Sequence, residues 1–373
     1  MYLLLASFSQ VMSYIGYILL AILVLLVMIT VHELGHYITG KIFKFKIDEF
    51  AVGFGPKLYS KKKQNGEVFS LRLIPLGGFC AFSGEDQESN EQSDFNNKPP
   101  WQRIIVLISG ALMNYLLAVF IIALMFGIYG HTALMTYHTD GEINGYSSEY
   151  SFQDKDIIIK ADGKNVYLVT DLMNAIDGKK AGDMVGFKIL RGGKVQNINV
   201  KLRADTNFYN VEDLKTLYDS LGITYQINQQ GEIASSGLYA TGVRFNFFTT
   251  IGRSFEYSIK LAGTIFKILG QLLTGTLGIK AMGGTVTTLS VTADAIKIGG
   301  FRNLLNIASF IGVNLAVFNL LPIPALDGSR VVFTAIEWVR GKPINRKVEG
   351  IIHTVGLVLL LMFAVFVDLQ QCF

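Results

Sequence analysis

Two histidines and a glutamate stand together in His32-Glu33-Leu34-Gly35-His36. On a helix, residues i and i+4 share a face, so His32 and His36 can grip one zinc ion with Glu33 beside it. A catalytic zinc takes three protein ligands and keeps a fourth position for water, so one ligand must come from elsewhere. Asp327 is the candidate, in Asn319-Leu320-Leu321-Pro322-Ile323-Pro324-Ala325-Leu326-Asp327-Gly328 at the end of a long uncharged run. A carboxylate there is costly unless it is paired or binds a cation. Pro322 and Pro324 break the helix and present Asp327 on irregular backbone, which is tolerated where it lines a cavity. The chemistry is metal-assisted hydrolysis. Zn2+ lowers the pKa of a bound water from about 15.7 toward about 7 and polarises the scissile carbonyl. Glu33 would take the proton from that water and pass it to the leaving amine.

A short HExxH pattern also arises by chance in soluble helices, and a lone intramembrane histidine often only packs. Here two of only five histidines flank a glutamate inside an apolar run. His131, His138 and His353 show no ligand spacing and read as structural or solvated. Asn314 and Asn319 precede Asp327; each either satisfies interhelical backbone or contacts substrate or an oxyanion. Cys80 and Cys372 lie far apart in the sequence and read as free thiols.

The elements that position these groups are membrane spans. The 373 residues are 50% hydrophobic and only 17% charged, which suits a polytopic membrane protein with some soluble mass. A net charge of +4 gives no basis for nucleic-acid binding. Four spans emerge, at about 13–38, 104–129, 303–326 and 351–367. No Lys or Arg precedes Lys41, so the first reads as a retained span rather than a signal peptide. Lysines and arginines crowd the short loops after the first and third spans, from Lys41 to Arg103 and from Arg330 to Lys347. Both loops therefore face the cytoplasm, and 130–302 lies outside. His36 and Asp327 then leave the membrane on the same side.

Within the first loop, Asn65-Gly66 separates two strand-like runs and marks a hairpin. Either the hairpin only links spans, or its edge lies near the metal and takes up an extended substrate by main-chain hydrogen bonds. On the second reading Gly53, Gly55, Phe69 and Leu71 are candidate substrate contacts. Residues 85–97 read as a polar linker. Outside, strands are expected at 156–161, 185–190, 195–202 and 238–243, a short helix at 171–176, and an inserted helix near 211–221. Residues 254–273 read as an amphipathic interfacial helix, with a fifth span as the competing interpretation. The Gly- and Thr-rich stretch 275–300 is left unassigned.

His32–His36, Gly53-Phe54-Gly55-Pro56 and the Leu326-Asp327-Gly328 ending of the third span resemble the bacterial site-2 protease family of intramembrane zinc metalloproteases, in its regulator-of-sigma-factor branch. Their order and approximate spacing fit nearly the whole chain. The resemblance implies His32, His36 and Asp327 as zinc ligands, Glu33 as base and Asn319 as a substrate-positioning residue. It also implies that the hairpin is the family's membrane-associated β-region and that the external module is a PDZ domain. The implied substrate is a single-span membrane protein already trimmed by a site-1-type protease, such as an anti-sigma factor. The implied location is the bacterial inner membrane. Residues 147–156 lack the Gly-Leu and Gly-Asp pattern of the family's PDZ peptide loop, and Met282-Gly283-Gly284-Thr285-Val286 stands where a Gly-Pro segment is usual.

The expected architecture is a polytopic α-helical membrane protein with a cytoplasmic-side β-hairpin and an extracytoplasmic β-rich, PDZ-like domain. Its segments are a first span with the metal motif (1–38), hairpin and linker (39–103), second span (104–130) and PDZ-like domain with insertion (131–245). Interfacial helices (246–302), a third span with the Asp ligand (303–328), a cytoplasmic loop (329–350) and a fourth span (351–373) follow. A non-catalytic zinc-binding receptor or chaperone is the alternative, but a purely structural zinc needs no Glu33. A transporter would show polar residues in several spans and internal repeats, which the sequence lacks.

Overall fold

The computed structural model describes residues 8–85, 91–137, 151–208, 213–228, 233–275 and 285–372. His138, the linker residues 86–90, residues 147–150 of the 147–156 loop and Met282–Gly284 of the expected Gly-Pro position lie outside the described residues. The chain forms two compact units, Met1–Ala123 with Ser254–Phe373, and Leu124–Arg253.

The first unit opens with α1 (Phe8–Ile42), apolar almost throughout and several turns longer than a bilayer core requires. Strands β1 (Ile47–Lys62) and β2 (Val68–Phe82) follow. They are not a simple hairpin. Phe50 lies opposite both Cys80 and Phe69, and Val52 opposite both Gly78 and Leu71, while Lys61 and Tyr59 pair with Phe69 and Leu71 from the other side. The strands fold back on themselves where Gly53 and Gly55 take φ of 88° and 83°, leaving residues 68–71 flanked on both edges. Phe45, Phe82 and Phe95 seal the end of this sheet against Val106 and Leu107 of α2 (Pro100–Tyr129). Pro100 opens α2, where its missing N–H costs nothing.

The second unit holds β3 (His131–Thr136), β4 (Ile157–Ala161), β5 (Lys164–Asn165), α3 (Val169–Ile176), β6 (Met184–Arg191) and β7 (Lys194–Lys201). After them come α4 (Leu214–Leu221), β8 (Tyr225–Ile227), β9 (Ile233–Ser236) and β10 (Leu238–Val243). One antiparallel sheet runs β10-β3-β4-β6-β7, with β5 beside β4, and β8 pairs with β9. Ile158, Leu172, Ile176, Ile189, Leu202 and Leu217 form its core. Asp156 is fully buried and doubly bonded by Arg191 at 2.6 and 2.7 Å.

Among the described residues four further helices follow: α5 (Phe247–Leu273), α6 (Thr285–Asn319), α7 (Asp327–Arg340) and α8 (Arg346–Cys372). Four described helices are long and apolar enough to cross a membrane, over Met12–Ile42, Pro100–Tyr129, Thr287–Asn319 and Arg346–Gln370. α5 is not among them. The third differs from the expected 303–326. Helix runs from Thr285 to a break at Gly300, whose φ of 56° and ψ of −141° are not helical, and a second helical segment follows to Asn319, ahead of Pro322 and Pro324. The Gly- and Thr-rich stretch is thus partly helix, and Gly300 breaks the ladder before the segment that carries Asn314 and Asn319. α1 packs on α6 through Met28, Ala308 and Ile311. Arg103, only 2% exposed, bonds Glu337 of α7 at 2.8 Å, and Arg346 of α8 reaches the same carboxylate at 3.1 Å. A buried pair of this kind ties α7 and α8 to α2 and is costly to break.

Candidate metal centre

α1 carries His32 and His36 one turn apart, each 7% exposed, and the start of α7 brings Asp327 to them. His32 Nε2 lies 2.9 Å from Asp327 Oδ2 and 3.1 Å from His36 Nε2; His36 Nε2 is 3.3 Å from the same carboxylate oxygen. A tetrahedral zinc with bonds of about 2.0–2.2 Å sets its ligand atoms about 3.3–3.5 Å apart. The longest observed edge meets that spacing, and the other two lie a little inside it. The three atoms fit one zinc ion, and a small outward shift completes the triangle.

The surrounding polar groups aim the ligand atoms. His36 Nδ1–H donates to the Val106 carbonyl at 2.8 Å, which leaves the Nε2 lone pair for a metal. His32 Nδ1 faces the carboxamides of Asn114 and Asn319, at 3.5 and 3.3 Å. Asn114 is fully buried, and its Oδ1 has no hydrogen-bond partner. A half-turn of that carboxamide points Oδ1 at the Nδ1–H and satisfies both, so His32 Nε2 is likewise free to bind metal.

Glu33 completes the centre. It lines a cavity of about 280 Å³ with Ile29, His32, Asn114, Asn319 and Asp327, large enough for several waters. The Gly78–Cys80 segment of β2 lies against its side chain. Burial, reinforced by the charges of Glu33, Glu85 and Glu67, pushes the Cys80 thiol up, so it stays protonated and is no competitor for a metal.

Close packing of α1 on α2 makes the centre possible. Gly35 faces Ser109 and Gly110, and a side chain added at Gly110 would collide with both imidazoles.

The candidate residues divide clearly. His32, Glu33, His36, Asn319 and Asp327 converge on one centre, with all but His36 lining the cavity itself. Asn314 does not line it; five residues before Asn319, it is turned by about 140° around the helix. Gly53 and Gly55 form the bend of β1. Phe69 and Leu71 are a correction to the edge-strand expectation: both backbone edges around them are already paired, and the segment beside Glu33 is Gly78–Cys80. Asn114 is an addition to the candidates. Its signal is an asparagine inside the uncharged second span, since a polar group there needs a partner.

Residues 20–363 match the model of "Peptidase family M50". A Clostridium perfringens protein named as a zinc metalloprotease is 32% identical over 95% of this chain and 98% of its own length. A Fusobacterium nucleatum protein of similar name is 30% identical over 95% and 97%. Zinc metalloprotease RasP of Bacillus licheniformis is 29% identical over 92% and 96%. A solved PDZ domain from Listeria monocytogenes covers 30% of this chain and 88% of its own, with 19% identity, but its TM-score of 0.17 is too low to assign a fold to the second unit. A match spanning nearly the whole chain, together with apolar helices fit to span a bilayer, makes this a multi-pass membrane protein and a zinc metalloprotease belonging to peptidase family M50.

Proposed function

We propose that the protein hydrolyses peptide bonds within or beside the transmembrane segments of single-span membrane proteins, on the cytoplasmic side of the bilayer. The observation that carries this reading is the placement of His32, Glu33 and His36 on α1, an apolar helix of spanning length. Bound zinc supplies a Lewis acid that polarises the scissile carbonyl and makes a water nucleophilic near pH 7. His32, His36 and Asp327 would hold it. Glu33, which lines the cavity, takes the proton of the attacking water and returns it to the leaving amine. Asn114 and Asn319 orient His32, with Asn319 also near enough to contact substrate.

The basic residues of the two short loops support a cytoplasmic active site and an external second unit. The β-rich second unit is compatible with a PDZ-like module that either binds peptide or excludes bulky ectodomains. A substrate shortened beforehand by another protease, an anti-sigma factor being one kind, suits a buried site of this size.

The test is cleavage of a single-span reporter by purified protein in detergent and in cells. Glu33→Gln should cut at least about 10²- to 10⁴-fold more slowly, as expected for loss of a general base, while still holding one zinc. Full cleavage by that variant would end the protease mechanism drawn here.

A further inference from the structure

We propose that His353, on the last apolar helix, is a positioning residue for the third zinc ligand. This rests on Asp327 being that ligand. Asp327 follows a turn in which Ala325 has φ of 78°, the left-handed region that residues with a Cβ seldom enter. Such a conformation persists only where its surroundings hold it. The holding contact is specific: the Ala325 N–H donates to His353 Nδ1 at 3.1 Å.

Two other contacts place α8 on both sides of Asp327. Gly356, three residues beyond His353 and on the same helical face, lies so close to Pro324 that a side chain there would strike the Pro324 backbone. The His353 ring also packs edge-on against Phe333 of α7, with centroids 5.7 Å apart. The helix thus grips the turn before the ligand and the helix after it. Without the Nδ1 acceptor, Ala325 relaxes toward negative φ, and the backbone that carries Asp327 turns its carboxylate away from His32 and His36.

His353→Leu keeps the apolar bulk and removes the acceptor. His353→Asn places Oδ1 near the position of Nδ1 and keeps it. The measurement is zinc loss from full-length detergent-solubilised protein to a competing chelator, with Asp327→Asn as the benchmark and reporter cleavage followed in parallel. His353→Leu should weaken zinc retention by about 10- to 100-fold, the size expected when a ligand's supporting contact is lost, with His353→Asn recovering most of it. At equal zinc occupancy, the Leu variant should lose kcat rather than raise KM.

Rapid zinc loss from Asp327→Asn but wild-type retention in His353→Leu overturns the role of His353 alone. That role is equally overturned if Asn restores no more than Leu. Wild-type retention in Asp327→Asn removes the ligand itself, and His353 then has nothing to position. If His353→Leu fails to fold, Gly356→Ala tests the same grip from Pro324: faster zinc loss supports it, and unchanged loss overturns it.

Discussion

Buried histidines occur in both units of this protein, with opposite electrostatic neighbours. In the first, His32 and His36 share one carboxylate oxygen of Asp327, and Glu33 stands beside them. In the second, His131 is fully buried, accepts a hydrogen bond from Arg253 Nε at 3.2 Å, and is stacked on Phe126. The first set presents lone pairs and negative charge to a common point, which a divalent cation satisfies. The second presents one neutral acceptor to a fixed cation, and nothing remains for a metal. Burial does not separate a ligand from a structural histidine; the sign of the charge facing it does.

The largest effect that tests this contrast is metal loss. His36→Ala should abolish zinc binding and reduce cleavage to background, while His131→Gln should leave zinc stoichiometry unchanged by elemental analysis. Zinc loss from both variants would erase the distinction. Removal of zinc from wild type with a chelator should reproduce the His36→Ala phenotype, and re-addition should restore cleavage. Next in size is Asn114→Leu, nearly isosteric but unable to bond His32. It should cost about 10- to 100-fold in zinc affinity, and unchanged affinity would show that Asn319 alone orients His32. Gly110→Ala should act similarly, by steric conflict with both imidazoles.

Much of the site is legible in the sequence because its signals are local. The i, i+4 histidines need only a helix, and Asp327 is an isolated carboxylate beyond two helix-breaking prolines. The roles that sequence alone does not reveal depend on contacts made across the fold. Asn114 matters only because Gly35 and Gly110 bring α1 and α2 into contact, and His353 only because α8 packs on the Pro324 turn. Neither contact leaves a periodic trace. Phe69 and Leu71 read as an edge for the same reason. Alternation identifies a strand, but the second pairing partner of residues 68–71 arises from the bend at Gly53 and Gly55. The helical segment before Gly300 escapes the hydropathy reading because Asp294, Lys297 and Arg302 interrupt the apolar run on both sides of that break.

The smallest effect sharpens the contrast from the side of His131. Burial, with the nearby Arg253 charge, pushes its pKa down from 6.5 to about 4. Thr250 Oγ1, at 3.2 Å from Nε2, and the Phe126 and Phe245 rings contribute no charge that would offset Arg253. In the unfolded chain this histidine takes up a proton near its ordinary pKa; folded, it resists until about pH 4. Stability from its neutral form is therefore complete above about pH 6.5 and falls as the pH drops toward 4, because the unfolded state then binds more protons. His131→Gln keeps hydrogen-bonding capacity but cannot titrate. Thermal unfolding of full-length protein followed at pH 7.5 and pH 5 should show a smaller acid-induced drop in Tm for His131→Gln than for wild type, by a few degrees, roughly the response to 1 kcal/mol in a domain of this size. Equal drops in the two proteins would mean that His131 is not held neutral by Arg253, and that the charge facing a buried histidine does not divide the two units as argued.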